Sequence, residues 1–470
     1  MQPSLLSKFP RKAPLVAALA ALASVAATTQ AKAVASFAAQ TGQPCDTCHV
    51  GGFGPQLTPF GRAFKISGYT QSGGDGWQAG VPLTAMALSS FTRTSGNLPQ
   101  GQQTRHYSVN NNAAIDQISV FLAGRLGDHS GGFAQFTYSP IDNSVALDNT
   151  DLRPYTTAID LGGRELRVGL TINNSPTVQD PFNTSFAWGY PYVGSSFAPT
   201  PAAQPILAGS FAGNSIGYTA YAWYDQSLYL EGGFYQTMTP WLMARTGSAF
   251  GPGGAPGVMP YLRAAYEWNW NQQSAHVGAM FLQSGVNPAV GDRFSDGSNG
   301  RDQYTDYAID ASYMYLGDGT NIVTAQGVFT HESQHLNGSA TAANLANLTL
   351  FKSNYDLNQV RFSLSYWYQN TYGLTLGWQN SWGSANPVLY QPGPVNGSNN
   401  GKPDSNAFIL EADWVPFGKA DSWMQPWANL KVGAQFTAYT KFNGSSRNYD
   451  GSGRGSGAND TLYLFSWLVF

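Results

Sequence analysis

Val360-Arg-Phe-Ser-Leu-Ser-Tyr-Trp-Tyr-Gln369 alternates: Val360, Phe362, Leu364, Tyr366 and Tyr368 are apolar or aromatic, while Arg361, Ser363, Ser365 and Gln369 are polar. Trp367 is the one break in the pattern. Successive side chains of a strand point to opposite faces, so this stretch is a strand with two unlike sides. The same parity resumes after Asn370-Thr371 in Tyr372, Leu374, Leu376 and Trp378, which makes the pair a hairpin with a tight turn. Leu262 to Trp270, Phe408 to Trp414 and Leu430 to Ala438 repeat it, with Arg263, Glu267, Glu411, Asp413 and Lys431 on the polar side. A charge facing lipid near the bilayer midplane costs ~2–4 kcal/mol, whereas one facing a lumen is hydrated. The parity, which starts at about residue 82, therefore separates a lipid face from a wet face.

Composition agrees with that division. Only 11% of residues are charged, against about 25% in an ordinary soluble domain, while 14% are aromatic. A transmembrane barrel reads this way because lipid and water each take one strand face and aromatic girdles mark both interfaces. The last strand, Thr461-Leu-Tyr-Leu-Phe-Ser-Trp-Leu-Val-Phe470, ends on an aromatic residue, with Tyr463, Phe465 and Trp467 on one side. It is similar to the terminal assembly signal of bacterial outer-membrane barrels. A soluble sandwich would leave that aromatic row on an open edge. Strands of about 9–11 residues give an all-β fold, a transmembrane antiparallel β-barrel of about 16 strands, with 14 to 18 as the range. Asn287 to Gln303, Asn386 to Asn406 and Asn443 to Asn459, rich in Gly, Asp, Asn and Ser, are expected as long outward loops.

Three regions follow. Residues 1–33 read as a secretory signal: Lys8, Arg11 and Lys12 are the basic end, Leu15 to Ala27 the apolar stretch, and Ala31-Lys-Ala33 the cleavage site. The apolar stretch is shorter than the roughly 20 residues of a spanning helix. Cleavage would take the formal charge from −3 to −7, which argues against a nucleic-acid partner. Residues 34–76 are expected as a small helical segment and residues 77–470 as the porin-like barrel.

The small segment holds both cysteines of the chain, in Cys45-Asp-Thr-Cys48-His49. C-x-x-C-H is the attachment pattern of a single covalent haem c: two thiols one short turn apart reach two vinyl groups of one porphyrin, and the adjacent imidazole ligates the iron. Cys45, Cys48 and His49 are thus the candidate cofactor-binding residues, with His49 the metal ligand. A redox pair or a disulfide would leave the histidine without a role. Leu57 to Tyr69 reads as one helix, with Thr58 as N-cap, Pro59 at the first position and Gly68 at the end. Phe60 and Phe64 share a face that suits a porphyrin, and Arg62 and Lys65 are candidates for its propionates or for solvated helix charges. About 40 residues cannot enclose a core alone, so the segment must lean on the barrel. For the sixth ligand, Met86, His106 and His129 are nearest downstream; Met238, Met243, Met259, Met280, Met314, His276 and Met424 lie further on. A thioether there raises the potential relative to a second imidazole. His331-Glu-Ser-Gln-His335 matches a zinc-protease signature in letters only. It falls in a strand pattern, where residues four apart are too distant to share one tetrahedral ion, and Asn337-Gly338 signals a turn after it.

The leader, Ser36 to His49, Leu57-Thr-Pro-Phe-Gly-Arg-Ala-Phe-Lys65 and the following barrel together resemble the fused monohaem cytochrome–porin family of outer-membrane iron oxidases. Asn173 to Asp180, Trp188 to Pro191, Gln425 to Asn429 and Phe436 to Gly444 extend the resemblance over essentially the whole mature chain. It implies an integral outer-membrane electron-transfer protein with oxidoreductase activity. Electrons would come from an extracellular donor, Fe(II) in the best-known members, through one haem c to a periplasmic c-type cytochrome. The alternative is a porin-type channel whose haem is structural or sensory. One stretch departs from the family: Val50-Gly-Gly-Phe-Gly-Pro-Gln56 is longer and more glycine-rich than the corresponding segment of the iron oxidases, and it lies beside the expected haem. A single haem cannot wire a bilayer core of about 30 Å, so the segment is expected inside or at the mouth of a water-filled barrel that admits a small donor.

Overall fold

The computed structural model describes residues 36–73, 82–104, 106–185, 189–209, 211–248, 254–287, 300–345, 353–387, 389–425 and 427–470. The expected leader and the boundary at 76/77 lie outside the described residues.

Alternating parity becomes a closed cylinder. Sixteen strands run from β1 (Leu83–Thr94) to β16 (Thr461–Val469), each antiparallel to its neighbours in chain order. β16 closes on β1, with Val469 opposite Met86 and Thr461 opposite Thr94. Closure removes every sheet edge, and with no unpaired backbone row a sheet can cross hydrocarbon. In β12 (Asn354–Tyr368) Phe362, Leu364, Tyr366 and Tyr368 face outward and are exposed, while Arg361, Ser363, Ser365 and Trp367 are buried inside. Exposed Tyr266, Trp268, Trp270, Tyr313, Tyr315, Tyr368, Tyr372 and Trp414 gather at one end as an aromatic girdle. The chain is an integral outer-membrane barrel of porin type.

Its two ends differ. At the girdle end the strands join through short turns such as 271–272 and 369–371, and both barrel termini lie there. Gln369 and Asn370 take positive φ, the backbone that matches a tight turn to strand twist. At the other end are the longer connections 95–111, 174–214, 238–258, 384–404 and 442–460. In outer-membrane barrels the short turns are periplasmic and the long loops extracellular. The three expected outward loops fall at the long-loop end, though most of 287–301 lies outside the described residues. The turn expected at Asn337 is instead a short helix, Asn337–Leu345.

The core of the molecule is its lumen, expected from the sequence to be water-filled and here largely occupied by protein around two cavities. Two insertions fill it. One is the small N-terminal segment; the other is the 174–214 connection, whose residues Asn174 to Ser185 are all buried. Ile206, Leu207 and Phe211 of that connection pack on Tyr235, Tyr261, Met280 and Leu282 of the wall. Its backbone amides at Ile206 and Leu207 donate to Glu332 Oε2 (2.7 Å) and Asp306 Oδ2 (2.6 Å). The lumenal charges expected to be hydrated are paired and buried: Arg263 with Asp180 (3.2 Å), Lys431 with Glu411 (3.1 Å) and Asp413 (2.9 Å).

Candidate functional site

The attachment motif forms one helical turn. α1 (Ser36–Thr41) leads to α2 (Cys45–Cys48), which opens after Pro44 and closes with His49 N donating to Cys45 O at 2.9 Å. His49 then turns to extended backbone and bridges Leu57. α3 (Pro59–Ile66) lies against this turn, capped as expected by Thr58, whose side chain accepts from Gly61 N at 3.2 Å. Thr58 N also donates to Cys48 O at 3.0 Å. Gly61 is required by that approach, since a Cβ there would sit 2.3 Å from Cys48 O. The two thiols are free and half-buried. Burial pushes the Cys48 thiol up to about 11 and lowers His49 to about 4. His49 is therefore a neutral imidazole, the form that ligates a metal, and its Nδ1 is buried without a hydrogen-bond partner.

Beside these three residues is a cavity of about 290 Å³ at the short-turn mouth. Its walls are mainly apolar: Phe37, Phe53, Phe64, Tyr69, Phe121 and Phe133 line it together with Met86 and Trp467. Two thiols, a neutral imidazole and an apolar cavity lined by aromatic side chains in one place fit a covalently held porphyrin.

The segment is tied to the wall on every side. Arg62 pairs with Glu267 (2.6 Å) and donates to Ser274 Oγ (2.8 Å) and Leu57 O (2.9 Å). Tyr69 donates to Asp151 (2.7 Å), Tyr221 to Ile66 O (2.6 Å) and Asn429 to Gly52 O (2.6 Å). The glycine-rich loop Val50 to Gln56 is the knob that docks here. Val50 and Phe53 join a cluster with Trp367, Phe465 and Trp467, and Phe53 meets Trp467 edge-on at 5.2 Å. Gly51, at φ 72°, is where Trp367 comes closest: a Cβ there would lie 2.5 Å from the indole. The break in the alternation at Trp367 is thereby explained, because this inward position receives the small segment.

No family model matches the chain, and no curated protein does either. Among solved structures it is similar to a loop-deletion mutant of OmpT, an outer membrane protein of Vibrio cholerae: 9% identity, 83% of this chain and 99% of that one covered, TM-score 0.43. It is also similar to the anion-selective porin from Comamonas acidovorans (12% identity, 83% and 98% covered, TM-score 0.44). A third is the outer membrane channel DcaP of Acinetobacter baumannii (11% identity, 83% and 96% covered, TM-score 0.42).

Of the expected distal ligands, only Met86 lines the cavity among the described residues. His129 is exposed in a short turn, bonded through Nδ1 to Thr156 O at 2.9 Å. His276 is held by Asp310 at 2.9 Å, Met314 lies under the Arg62 guanidinium, and Met259 and Met280 belong to another cluster. Arg62 is neither a propionate partner nor a solvated charge, since Glu267 and Ser274 occupy it. Lys65 lines the cavity, donates to Val178 O and is brought down to about 8 by burial. Phe64 lines the cavity and Phe60 does not. His331 and His335 point outward along β11 (Asn321–Leu336) to Asn358 and Asn354, while Glu332 points inward, so no zinc site forms.

Breaking a buried ion pair by removing one partner costs ~3–5 kcal/mol. Glu267→Ala is therefore expected to loosen α3 from the wall while leaving the barrel closed. Limited trypsin digestion in detergent would show it as new cleavage after Arg62 or Lys65, in a chain that otherwise resists cutting there.

Proposed function

We propose that this chain is an electron-transfer protein of the fused monohaem cytochrome–porin kind, taking electrons from an extracellular donor and delivering them to a periplasmic c-type cytochrome. The observation that carries the reading is the convergence of Cys45, Cys48 and His49 on one apolar cavity at the short-turn mouth of a packed barrel. A haem held there would supply a one-electron couple. The chain's own residues do the rest: the two cysteines fix the ring, His49 is ready to ligate without losing a proton, and the aromatic walls exclude water. Placement at the short-turn mouth favours a periplasmic acceptor, because only the rim of the cavity separates the ring from that compartment. A packed lumen speaks against the channel reading, since free diffusion of solutes needs an open bore. Fe(II) is the donor that the family resemblance names. Reduction of the purified protein by Fe(II), followed through visible absorption at acidic and neutral pH, tests it. Absorption that stays ferric at both would remove iron as the donor.

Met86 is the thioether in the cavity wall, and it would be the residue that offers a haem held there a donor besides His49. Met86→Ala is expected to abolish the weak long-wavelength band that sulfur ligation gives ferric haem. It should also lower the potential by a sizeable part of the ~0.8 V that axial ligands command. Met86→His should restore a six-coordinate spectrum at a potential below that of the parent. A band unchanged in Met86→Ala would exclude this ligand.

A further inference from the structure

A second cavity, of about 600 Å³, lies on the long-loop side of the haem cavity, walled by the 174–214 connection and by the upper ends of several strands. Trp467 lines both cavities, at the apolar cluster with Phe53, Met86, Leu88 and Val193 that lies between them. In the upper cavity stands Asp116, on β2 (Asn112–Gly127), only 6% exposed. Neither of its carboxylate oxygens makes a hydrogen bond, and no cation is paired with it. Among the described residues it is alone in this. The other buried lumenal carboxylates have partners: Glu267 has Arg62, Asp310 has Arg263 and His276, Glu411 and Asp413 share Lys431, Asp148 accepts from Thr137, and Glu332 and Asp306 accept backbone amides. Burying a carboxylate without a partner costs several kcal/mol, so the position is one that a ligand completes.

The surroundings say which ligand. The hydroxyls of Ser90, Ser196 and Tyr463 face Asp116, and those of Ser90 and Tyr463 are themselves buried. Carboxylate plus hydroxyl oxygens, with no nitrogen or sulfur, is the donor set of a hard divalent cation that keeps part of its water. The remaining charged side chains of the cavity are Asp148, already bonded, and Arg361, whose guanidinium lies over the Tyr190 ring at 5.9 Å.

We propose that Asp116, with Ser90, Ser196 and Tyr463, binds one partly hydrated divalent cation on the extracellular side of Trp467. Binding stands independently of the haem reading. That the ion is the electron donor rests on that reading, because a redox-active ion at Asp116 is then divided from the haem cavity by that apolar cluster.

The test uses the full mature protein in detergent and Mn²⁺ as probe, read by electron paramagnetic resonance. One ion per chain is expected, with binding weakened at least tenfold in Asp116→Asn and little changed in Asp148→Asn, a carboxylate of the same cavity. Absence of binding in the parent, or equal loss in both variants, would overturn the site. Asp116→Asn keeps shape and removes an unpaired charge, so it is expected to fold, and resistance of the barrel to heat in detergent checks that. In the same preparations, rapid mixing with Fe(II) is expected to reduce the haem at least tenfold more slowly in Asp116→Asn, with reduction by an uncharged reductant unchanged. Mn²⁺ bound as described in a protein that carries no haem would leave the site standing and sink the electron-transfer reading instead.

Discussion

Cys45→Ala with Cys48→Ala is expected to leave a folded, colourless barrel. Expressed in a host that matures c-type cytochromes, the parent should show haem that survives denaturing electrophoresis, and the double variant none. The effect is expected to be all-or-none because no other thiol exists in the chain, so thioether bonds to Cys45 and Cys48 would be the only covalent hold. Folding should survive because the cysteines sit on one short turn against a segment held by Arg62, Tyr69 and the Val50–Phe53 knob. His49→Ala separates attachment from ligation: some covalent haem should remain, with a high-spin spectrum and a shifted potential. Colour retained in the double variant would mean that the ring is held elsewhere.

The second large effect concerns the bore. Sixteen-stranded porins leave an aqueous channel, and here the N-terminal segment and the 174–214 connection occupy it. In planar bilayers the intact protein is expected to show little or no ion conductance. A chain lacking residues 36–73 should open the short-turn half of the lumen and raise single-channel conductance by an order of magnitude or more. A narrower variant, Gly51→Leu, forces a side chain into Trp367 where even a Cβ does not fit, and should give partial, flickering conductance in a full-length chain. High conductance in the parent would favour the channel reading over electron transfer.

Much of this arrangement was legible in the residues. The period-two pattern of Val360 to Gln369, its return at Tyr372, and the final strand to Phe470 gave the barrel, because lipid and lumen impose opposite demands on alternate side chains, while chain length over strand length gave about 16 strands, the number found. The Leu57–Tyr69 helix with its Thr58 cap was equally plain, because capping is local chemistry. What the sequence hid was tertiary. Asn173 to Asp180 carries no signal of its own for inward burial, yet it turns inward, since Gln179 and Asp180 meet Arg153 and Arg263 of the wall. The charges read as hydrated became buried pairs for the same reason. Trp367 was the one available signal of inward docking: an aromatic residue on a polar face marks a place where something apolar arrives. Met86 stood first among ten candidates by proximity in the chain alone, and only the closing of β1 onto β16 brings it to the cavity with Trp467 and Val469.

The central claim is that one covalently held haem at the short-turn mouth takes electrons from a small donor that has entered the lumen from the long-loop side, while the barrel offers no free passage between the two compartments. The direct measurement is a sealed proteoliposome containing the oriented protein, with ferricytochrome c enclosed on the short-turn side and Fe(II) added on the long-loop side. The account predicts that the enclosed cytochrome is reduced by the parent, is not reduced when Cys45 and Cys48 are alanine, and that the vesicles stay impermeable to small dyes throughout. Reduction at equal rates with and without the two cysteines, or reduction only in vesicles that leak dye, would contradict it.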